Sequence, residues 1–332
     1  MERIADAHLD LCHDLLRSHR AGEREVLAHS YLPQWRQAGV GLIVAAIYLD
    51  TRGRYEEYYP EALAQLAALE EELACCSGAV LCRTGGELEA AWSEDKVALL
   101  LSLEGAEPLG EDLGRLEEFY RRGVRALGLC WSRENAAGFG GRYEAGEVTD
   151  SIGLKSFGCA LVRRAEELGV LIDVSHLNDG GCADVARLSR RPFFASHSNA
   201  RALRNMDRNL SDAALEAIAR SGGMVGVNSY SGLVSGTTEQ ATVAAVADHA
   251  DYVGGRIGWE RVGLGLDLMG RLNGGDAVFT SGGVSMRGFD ILPSHTAVEE
   301  LDSELARRGY SDCRRAGILG KNWMDFFREN LE

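Results

Sequence analysis

The sequence predicts an α/β fold of the TIM-barrel type, in which eight parallel strands lie inside a ring of helices. Eight short apolar runs recur along the 332 residues, and segments with helical periodicity separate most of them. The runs are apolar almost throughout, which is typical of parallel strands that helices cover on both faces. A doubly wound open sheet is the alternative, but the G-x-G-x-x-G fingerprint of that fold is missing after the first run.

The strands and helices can be assigned in chain order. The predicted strands cover residues 3–10, 40–49, 97–104, 124–131, 170–176, 192–197, 224–230 and 261–267. Amphipathic helices are predicted at residues 60–76, 111–123, 153–169 and 211–222. The glycine-rich, aperiodic residues 270–295 predict a long loop over the barrel mouth, and residues 311–332 predict two closing helices. Without a linker or a low-complexity tract, residues 1–332 are expected to form a single domain.

Charge and composition exclude several classes of partner. The net charge is −15, from 35 Lys and Arg against 50 Asp and Glu, which disfavours nucleic acid and anionic membranes. The chain contains no apolar run of about 18 residues and no signal-peptide pattern, so we expect a soluble, cytoplasmic protein. Its eight cysteines show no C-x-x-C spacing and are expected to be free thiols.

Polar residues stand at the carboxyl ends of five predicted strands. In a barrel these ends share one rim, where catalytic groups lie. The rim residues are His8 and Asp10 (first strand), Glu104 (third), His176 (fifth), His197 (sixth) and Asp267 (eighth). The remaining histidines fall in helices or loops and are expected to be structural or exposed: His13, His19, His29, His249 and His295.

These residue types in this arrangement indicate a metal centre. Neutral imidazoles together with carboxylates suit zinc, and other divalent metals are alternatives. The ligands are too many for one ion, so we expect two ions with Glu104 as the bridge. Two divalent cations would be balanced by Asp10, Glu104, Asp267 and a bridging hydroxide. Because such a pair activates water and polarises a carbonyl, hydrolysis is the expected reaction class.

Five motifs, "DAHLD", "SLEG", "DVSH", "SHSNAR" and "GLGLD", resemble the membrane dipeptidase (renal dipeptidase) family in order and spacing. The resemblance implies a binuclear zinc dipeptidase that acts on dipeptides, often with a D-residue on the C-terminal side, and it suggests a homodimer. It also implies roles for individual residues: His8 and Asp10 on one zinc, His176 and His197 on the other, Glu104 bridging, Asp267 relaying a proton, and Arg208 binding the substrate carboxylate.

The chain departs from the family pattern at two places. Trp131 stands where the mammalian enzymes have a substrate-contacting histidine, and an indole cannot titrate. Trp131, and Tyr230 at the end of the seventh strand, are predicted to contact the substrate, and the substrate preference of the mammalian enzymes is not expected to carry over. The sequence also ends without the hydrophobic tail that precedes lipid anchoring, so no anchor is expected.

Two other functions remain open on the sequence. An amidohydrolase of the lactonase or deaminase type also uses two metals in a barrel, but typically through H-x-H and a carbamylated lysine. This chain has H-x-D, and its three lysines, Lys96, Lys155 and Lys321, stand away from strand ends. The other alternative is a metal-binding barrel without catalysis, against which Asp267 argues, since its expected role is proton transfer.

Overall fold

Parallel strands form the centre of the protein. The computed structural model describes residues 3–49, 55–142, 152–273, 276–281 and 284–332. The strands are β1 (Ile4–Leu9), β2 (Val40–Ile47), β3 (Ala79–Leu81), β4 (Val97–Leu103), β5 (Val124–Gly128), β6 (Leu171–Asp173), β7 (Val225–Val227), β8 (Val262–Leu264), β9 (Asp276–Ser281) and β10 (Val284–Phe289). The main sheet runs in the order β6-β5-β4-β2-β1-β8-β7, with β3 paired to β4 beside this path.

Two single bridges close this sheet into a barrel. Phe194 pairs in parallel with Asp173 at the end of β6, and Ala195 pairs in parallel with Val225 at the start of β7. Residues 194 and 195 therefore stand in the sixth barrel position, and the ring follows the chain order. The predicted TIM-type architecture is confirmed.

The prediction of a sixth strand over residues 192–197 was wrong in extent. In this segment, strand pairing is limited to the two bridges of Phe194 and Ala195. Pro192 has no N–H to donate at the start of the segment. At its end, Ser196 N donates to the Asp173 carboxylate at 3.0 Å and His197 N donates to Ser175 Oγ at 3.1 Å. Side chains thus take the hydrogen bonds that a longer ladder would need.

Helices pack against the strands and against one another. They are α1 (Leu11–Arg20), α2 (Leu32–Ala38), α3 (Tyr55–Cys75), α4 (Gly85–Ser93), α5 (Leu113–Arg121), α6 (Ser156–Leu168), α7 (Asp179–Leu188), α8 (Asp212–Ser221), α9 (Ser231–Val234), α10 (Val243–Ile257), α11 (Gly270–Asn273), α12 (Val298–Arg307), α13 (Asp312–Ala316) and α14 (Asn322–Asn330). The four helices predicted from periodicity correspond to α3, α5, α6 and α8. Both α6 and α8 end at a left-handed glycine, Gly169 and Gly222.

Two further predictions differ from the structure. The region 270–295, expected to be a loop, contains α11 and the antiparallel hairpin β9–β10; its residues 274, 275, 282 and 283 lie outside the described part. The predicted pair of closing helices is one helical run, because the π-helical segment Gly317–Lys321 joins α13 to α14. All eight cysteines are free thiols, as predicted. No helix within the described ranges has the length and apolar character needed to cross a bilayer.

Two glycines allow the sixth barrel position to pack closely against its neighbours. A Cβ at Gly265 would lie 1.8 Å from Ser196 O and 2.8 Å from His197 Cα, and a Cβ at Gly226 would lie 1.9 Å from Ser196 O. Backbone atoms cannot give way as a flexible side chain can. These glycines therefore let the chain bring His197 to the rim.

We expect Gly265→Ala to destabilise the protein by at least ~2 kcal/mol, because the added methyl group must displace backbone. Gly255→Ala is the matched control: Gly255 lies in α10, and a Cβ added there would meet nothing within 4 Å, so alanine should be neutral or stabilising. Denaturant unfolding of both variants gives the comparison, and equal stability of the two would contradict the packing argument.

Candidate metal centre

Six side chains meet at the carboxyl ends of the barrel strands, and we call them the donor cluster. Their positions follow directly from the strand ends, because the chain leaves each strand on the same rim. The cluster consists of His8 on β1, Asp10 between β1 and α1, Glu104 directly after β4, His176 after β6, His197 after the bridge residues 194 and 195, and Asp267 after β8. The structure thus brings together all six rim residues predicted from the sequence.

Two of these residues have left-handed backbone conformations. The φ angles are +67° at His176 and +57° at Asp267. This region is uncommon for residues other than glycine, although His and Asp enter it more readily than most, and such conformations concentrate at functional sites. Each conformation places the residue in the turn that follows its strand, with its side chain in the donor cluster.

Glu104 lies at the centre of the donor cluster. Its Oε1 is 2.9 Å from His176 Nε2, 3.5 Å from His197 Nε2 and 3.7 Å from His8 Nε2. The Nε2 atoms of His176 and His197 are 2.9 Å apart. On the other side, His8 Nε2 is 3.5 Å from Asp10 Oδ1 and 3.8 Å from Asp267 Oδ1. The donor cluster thus has two halves, His176 and His197 on one side and His8, Asp10 and Asp267 on the other. The Glu104 carboxylate lies within reach of both.

Three buried atoms in the cluster have no hydrogen-bond partner among the described residues. They are His8 Nε2, Asp10 Oδ1 and Glu104 Oε2. A buried polar atom without a partner costs about 1–3 kcal/mol, and more when it is charged. A divalent cation bound by these atoms removes that cost, so the residues present fit a metal.

The donors divide into overlapping groups that could each hold an ion. In each group the ligand atoms lie within 4.8 Å of one another. The groups are His8, Asp10 and Glu104; Glu104, His176 and His197; and His8, His197 and Asp267. Because Glu104 belongs to two of them, the geometry is compatible with a shared carboxylate.

Burial and charge set the protonation of these groups. Burial lowers the pKa of both His176 and His197 well below the usual value, and the Arg208 guanidinium acts in the same direction. Both imidazoles are therefore neutral, as a metal ligand requires. Burial raises the pKa of Glu104 well above its usual value, and the charges of Asp10 and Asp267 add to this rise. A cation in the cluster would favour the ionised carboxylate.

The outer nitrogens of two histidines contact serine hydroxyls. Ser132 Oγ lies 2.8 Å from His176 Nδ1, and Ser196 Oγ lies 2.6 Å from His197 Nδ1. Contacts of this kind fix the ring orientation of metal-bound histidines, with Nε2 directed at the ion. Both histidines thus present Nε2 to Glu104.

Arg208 is buried beside the donor cluster. Its Nη1 donates to Ser198 Oγ at 2.8 Å and its Nη2 donates to His197 O at 2.8 Å, while Nε has no hydrogen-bond partner among the described residues. The family resemblance implies that Arg208 binds the substrate carboxylate, and the structure places Arg208 beside the cluster, in contact with the backbone of His197. The positively charged guanidinium of Arg208 could therefore bind an anionic group at this position.

Trp131 and Tyr230 belong to an apolar cluster beside the donors. The Trp131 ring stacks on His176 with centroids 5.4 Å apart. Tyr230 is buried, and its N donates to Asn228 Oδ1 at 2.6 Å, while Asn228 Nδ2 donates to Asp267 Oδ2 at 3.0 Å. The buried members of this cluster are Trp131, Met206, Tyr230, Leu233 and Met269. An apolar wall therefore lies next to the donor cluster.

Several polar residues near the site escaped the sequence prediction of the donors. Asp6, on the same strand as His8, accepts hydrogen bonds from Leu266 N at 2.9 Å and from His295 Nε2 at 2.9 Å. Asp290 is buried, and burial raises its pKa to about 7, with the charge of Asp267 adding to the rise. A carboxylate inside an apolar run is the sequence signal that could have identified residues of this kind. Asp6 and Asp173 both stand in such runs, within the first and fifth predicted strands.

The family model described as membrane dipeptidase (Peptidase family M19) matches residues 2–331. A protein encoded in the pqqA 5′ region of Klebsiella pneumoniae is 30% identical over 266 residues, which are 78% of this chain and 92% of that protein. Dipeptidase 3 of Rattus norvegicus is 30% identical over 260 residues, which are 75% of this chain but only 49% of the rat protein.

Two solved structures are similar over nearly their whole length. Dipeptidase AC, a metallopeptidase, has a TM-score of 0.85 and 28% identity, covering 99% of this chain and 98% of its own. A metallopeptidase from Rhodobacter sphaeroides, solved with a phosphinate mimic of the dipeptide L-Ala-D-Ala, has a TM-score of 0.85 and 27% identity, covering 99% of each chain.

Proposed function

Because the chain belongs to the membrane dipeptidase family and is a metallo-dipeptidase, we propose that it hydrolyses free dipeptides with two zinc ions bound at the donor cluster. The observation that carries the proposal is Glu104, a buried carboxylate within reach of histidines from both halves of the cluster. Nitrogen and carboxylate ligands in this number suit zinc. The ligands are His8, Asp10 and Glu104 for one ion, and Glu104, His176 and His197 for the other.

When bound, the two ions would lower the pKa of a shared water molecule, activating it to attack, and polarise the scissile carbonyl. The chain supplies the proton transfer. Asp267 takes a proton from the attacking water and delivers it to the leaving amine. Burial raises the pKa of Asp267, and Asp10 adds to the rise, although the neighbouring His8 lowers it. A carboxylate with a raised pKa suits transient protonation.

Arg208 recognises the free carboxylate of the substrate in this proposal. Its guanidinium is buried, its planar fork suits a carboxylate, and its Nε meets no hydrogen-bond acceptor within the part of the chain that the structure describes. Since Arg208 contacts the backbone of His197, it holds this charge at a fixed distance from the cluster. Binding of the free carboxylate at this distance would place the peptide bond before the C-terminal residue at the cluster.

We propose that the enzyme also accepts dipeptides whose C-terminal residue has the D-configuration. Support comes from the related Rhodobacter sphaeroides metallopeptidase, which was solved with a mimic of L-Ala-D-Ala. Trp131 and Tyr230, in the apolar cluster, are the proposed contacts for substrate side chains. Because the indole of Trp131 does not titrate, its proposed contribution is apolar packing against the substrate.

The alternatives have less support. A lactonase- or deaminase-type amidohydrolase often has a carbamylated lysine at the centre, but the three lysines pair elsewhere: Lys96 with Glu94, Lys155 with Glu134, and Lys321 with Asp325. A metal-binding barrel without catalysis would leave Asp267, a half-buried carboxylate 3.8 Å from His8 Nε2, without a role. A homodimer and a single domain over residues 1–332 stay predictions.

We predict that purified protein contains two divalent ions per chain, with zinc preferred, and hydrolyses both L-Ala-L-Ala and L-Ala-D-Ala. Metal analysis and ninhydrin detection of released alanine give the measurements. Removal of metal with a chelator should abolish activity and added zinc should restore it. Activity that persists in the fully metal-free protein would refute the proposed centre, and hydrolysis of L,L-dipeptides alone would refute the stereochemical part.

Asp267→Asn should keep both ions and lower kcat by at least ~100-fold, because an amide cannot accept the proton from water. The exchange preserves size and can keep the contact with Asn228. Steady-state kinetics beside metal analysis makes the test. If the variant turned over normally, Asp267 would have no part in proton transfer.

Arg208→Met should raise KM for free dipeptides by at least ~10-fold and leave the already weak activity on C-terminally amidated dipeptides nearly unchanged. Methionine retains an unbranched apolar stem but removes the charge. Metal content and thermal unfolding of the variant control for damage to the neighbouring His197. An equal loss on both kinds of substrate would remove Arg208 from carboxylate binding.

A further inference from the structure

A buried carboxylate stands behind His197. Asp173, at the end of β6, accepts hydrogen bonds from Ser175 N at 2.9 Å and from Ser196 N at 3.0 Å, both at Oδ1. Its other oxygen, Oδ2, lies 2.5 Å from Ser196 Oγ, which donates to it. The serine hydroxyl is the donor and the carboxylate oxygen the acceptor, so this hydrogen bond has one direction.

The fixed direction determines the tautomer of His197. A serine hydroxyl has one hydrogen, and Ser196 gives it to Asp173. In its 2.6 Å contact with His197 Nδ1, Ser196 Oγ must therefore accept, so Nδ1 carries the hydrogen. The lone pair of His197 then lies on Nε2, the atom that faces Glu104 and His176.

Neighbouring groups hold Ser196 in this orientation. Ser175 Oγ lies 3.3 Å from Ser196 Oγ and also accepts from His197 N at 3.1 Å. Ser175, Ser196 and His197 are all buried. Asp173 therefore orients both the backbone and the side chain of the segment that carries His197.

His176 has a different environment. Its Nδ1 contacts Ser132 Oγ at 2.8 Å, and either atom can donate in that contact, depending on the tautomer. Of the two histidines in this half of the donor cluster, His197 is the one whose tautomer follows from the contact to a carboxylate-bound serine.

We propose that Asp173 and Ser196 are positioning residues that fix His197 as a metal ligand, and that they set the affinity of the ion held by Glu104, His176 and His197. The inference rests on the proposed metal-binding function of the donor cluster. Neither residue belongs to the donor groups or to the proposed substrate contacts. Their action passes through the hydrogen bond from His197 Nδ1, as in outer-shell partners of other metal-bound histidines.

The test measures metal affinity directly. Ser196→Ala should weaken binding of one of the two ions by about 10–100-fold, measured by competition with a chromophoric chelator, and leave the other ion nearly unchanged. With cobalt(II) as probe, the visible absorption of one site should change. Asp173→Asn should act in the same direction, and the double variant should lose little more than the larger single loss, because both residues act through one hydrogen bond.

Ser229→Ala is the matched control. Ser229 is a buried serine whose Oγ donates to Leu266 O at 2.9 Å, so its removal also deletes a buried hydrogen bond. This variant should lose stability but keep the affinity of both ions.

Three results would overturn the inference. If the wild type binds two ions and both Ser196→Ala and Asp173→Asn keep the wild-type metal affinity, the inference is wrong while the proposed function stands. An equal loss in Ser229→Ala would show a general effect of destabilisation. Absence of metal binding in the wild type would overturn the proposed function as well, which separates the two failures. Should Ser196→Ala fold poorly, the isosteric Asp173→Asn carries the test.

Discussion

The closure of the barrel at its sixth position is the constraint on which the site depends. In the described part of the chain, Phe194 and Ala195 bridge β6 to β7, and the next two residues are Ser196 and His197. The backbone N–H groups of that second pair bond to the side chains of Asp173 and Ser175 rather than to a neighbouring strand. The same contacts that end the ladder thus bring a histidine to the rim, and glycines in β7 and after β8 leave room for this close approach.

Charge explains why the rim needs cations. Asp10, Glu104 and Asp267 place three carboxylates beside His176 and His197, whose pKa values burial lowers, and burial raises the pKa of Glu104 and Asp267. Arg208 offsets part of this negative charge, yet its guanidinium is engaged with Ser198 and His197 O. Bound divalent ions would offset the remaining charge and satisfy the unpartnered atoms of His8, Asp10 and Glu104.

The sequence predicted the barrel and the meeting of six rim residues because strand periodicity and strand ends are local properties. It missed β3, which has only three residues, and the hairpin β9–β10, whose glycine-rich sequence lacks a clear alternation. Hydrogen bonds such as that of Asp173 with Ser196 could not be predicted either. They depend on side-chain rotamers and on the packing of segments 23 residues apart in sequence.

The hydrogen bond between Asp6 and His295 joins residues 289 positions apart. Asp6 also accepts from Leu266 N, so the first and last barrel strands are tied together by one carboxylate. During synthesis on the ribosome, this tie can form only after residue 295 has emerged from the exit tunnel, long after β1 has been made. Because the last of the six donors is Asp267, the whole donor set is synthesised before His295 becomes available to Asp6, so this contact is a late step in the assembly of the barrel.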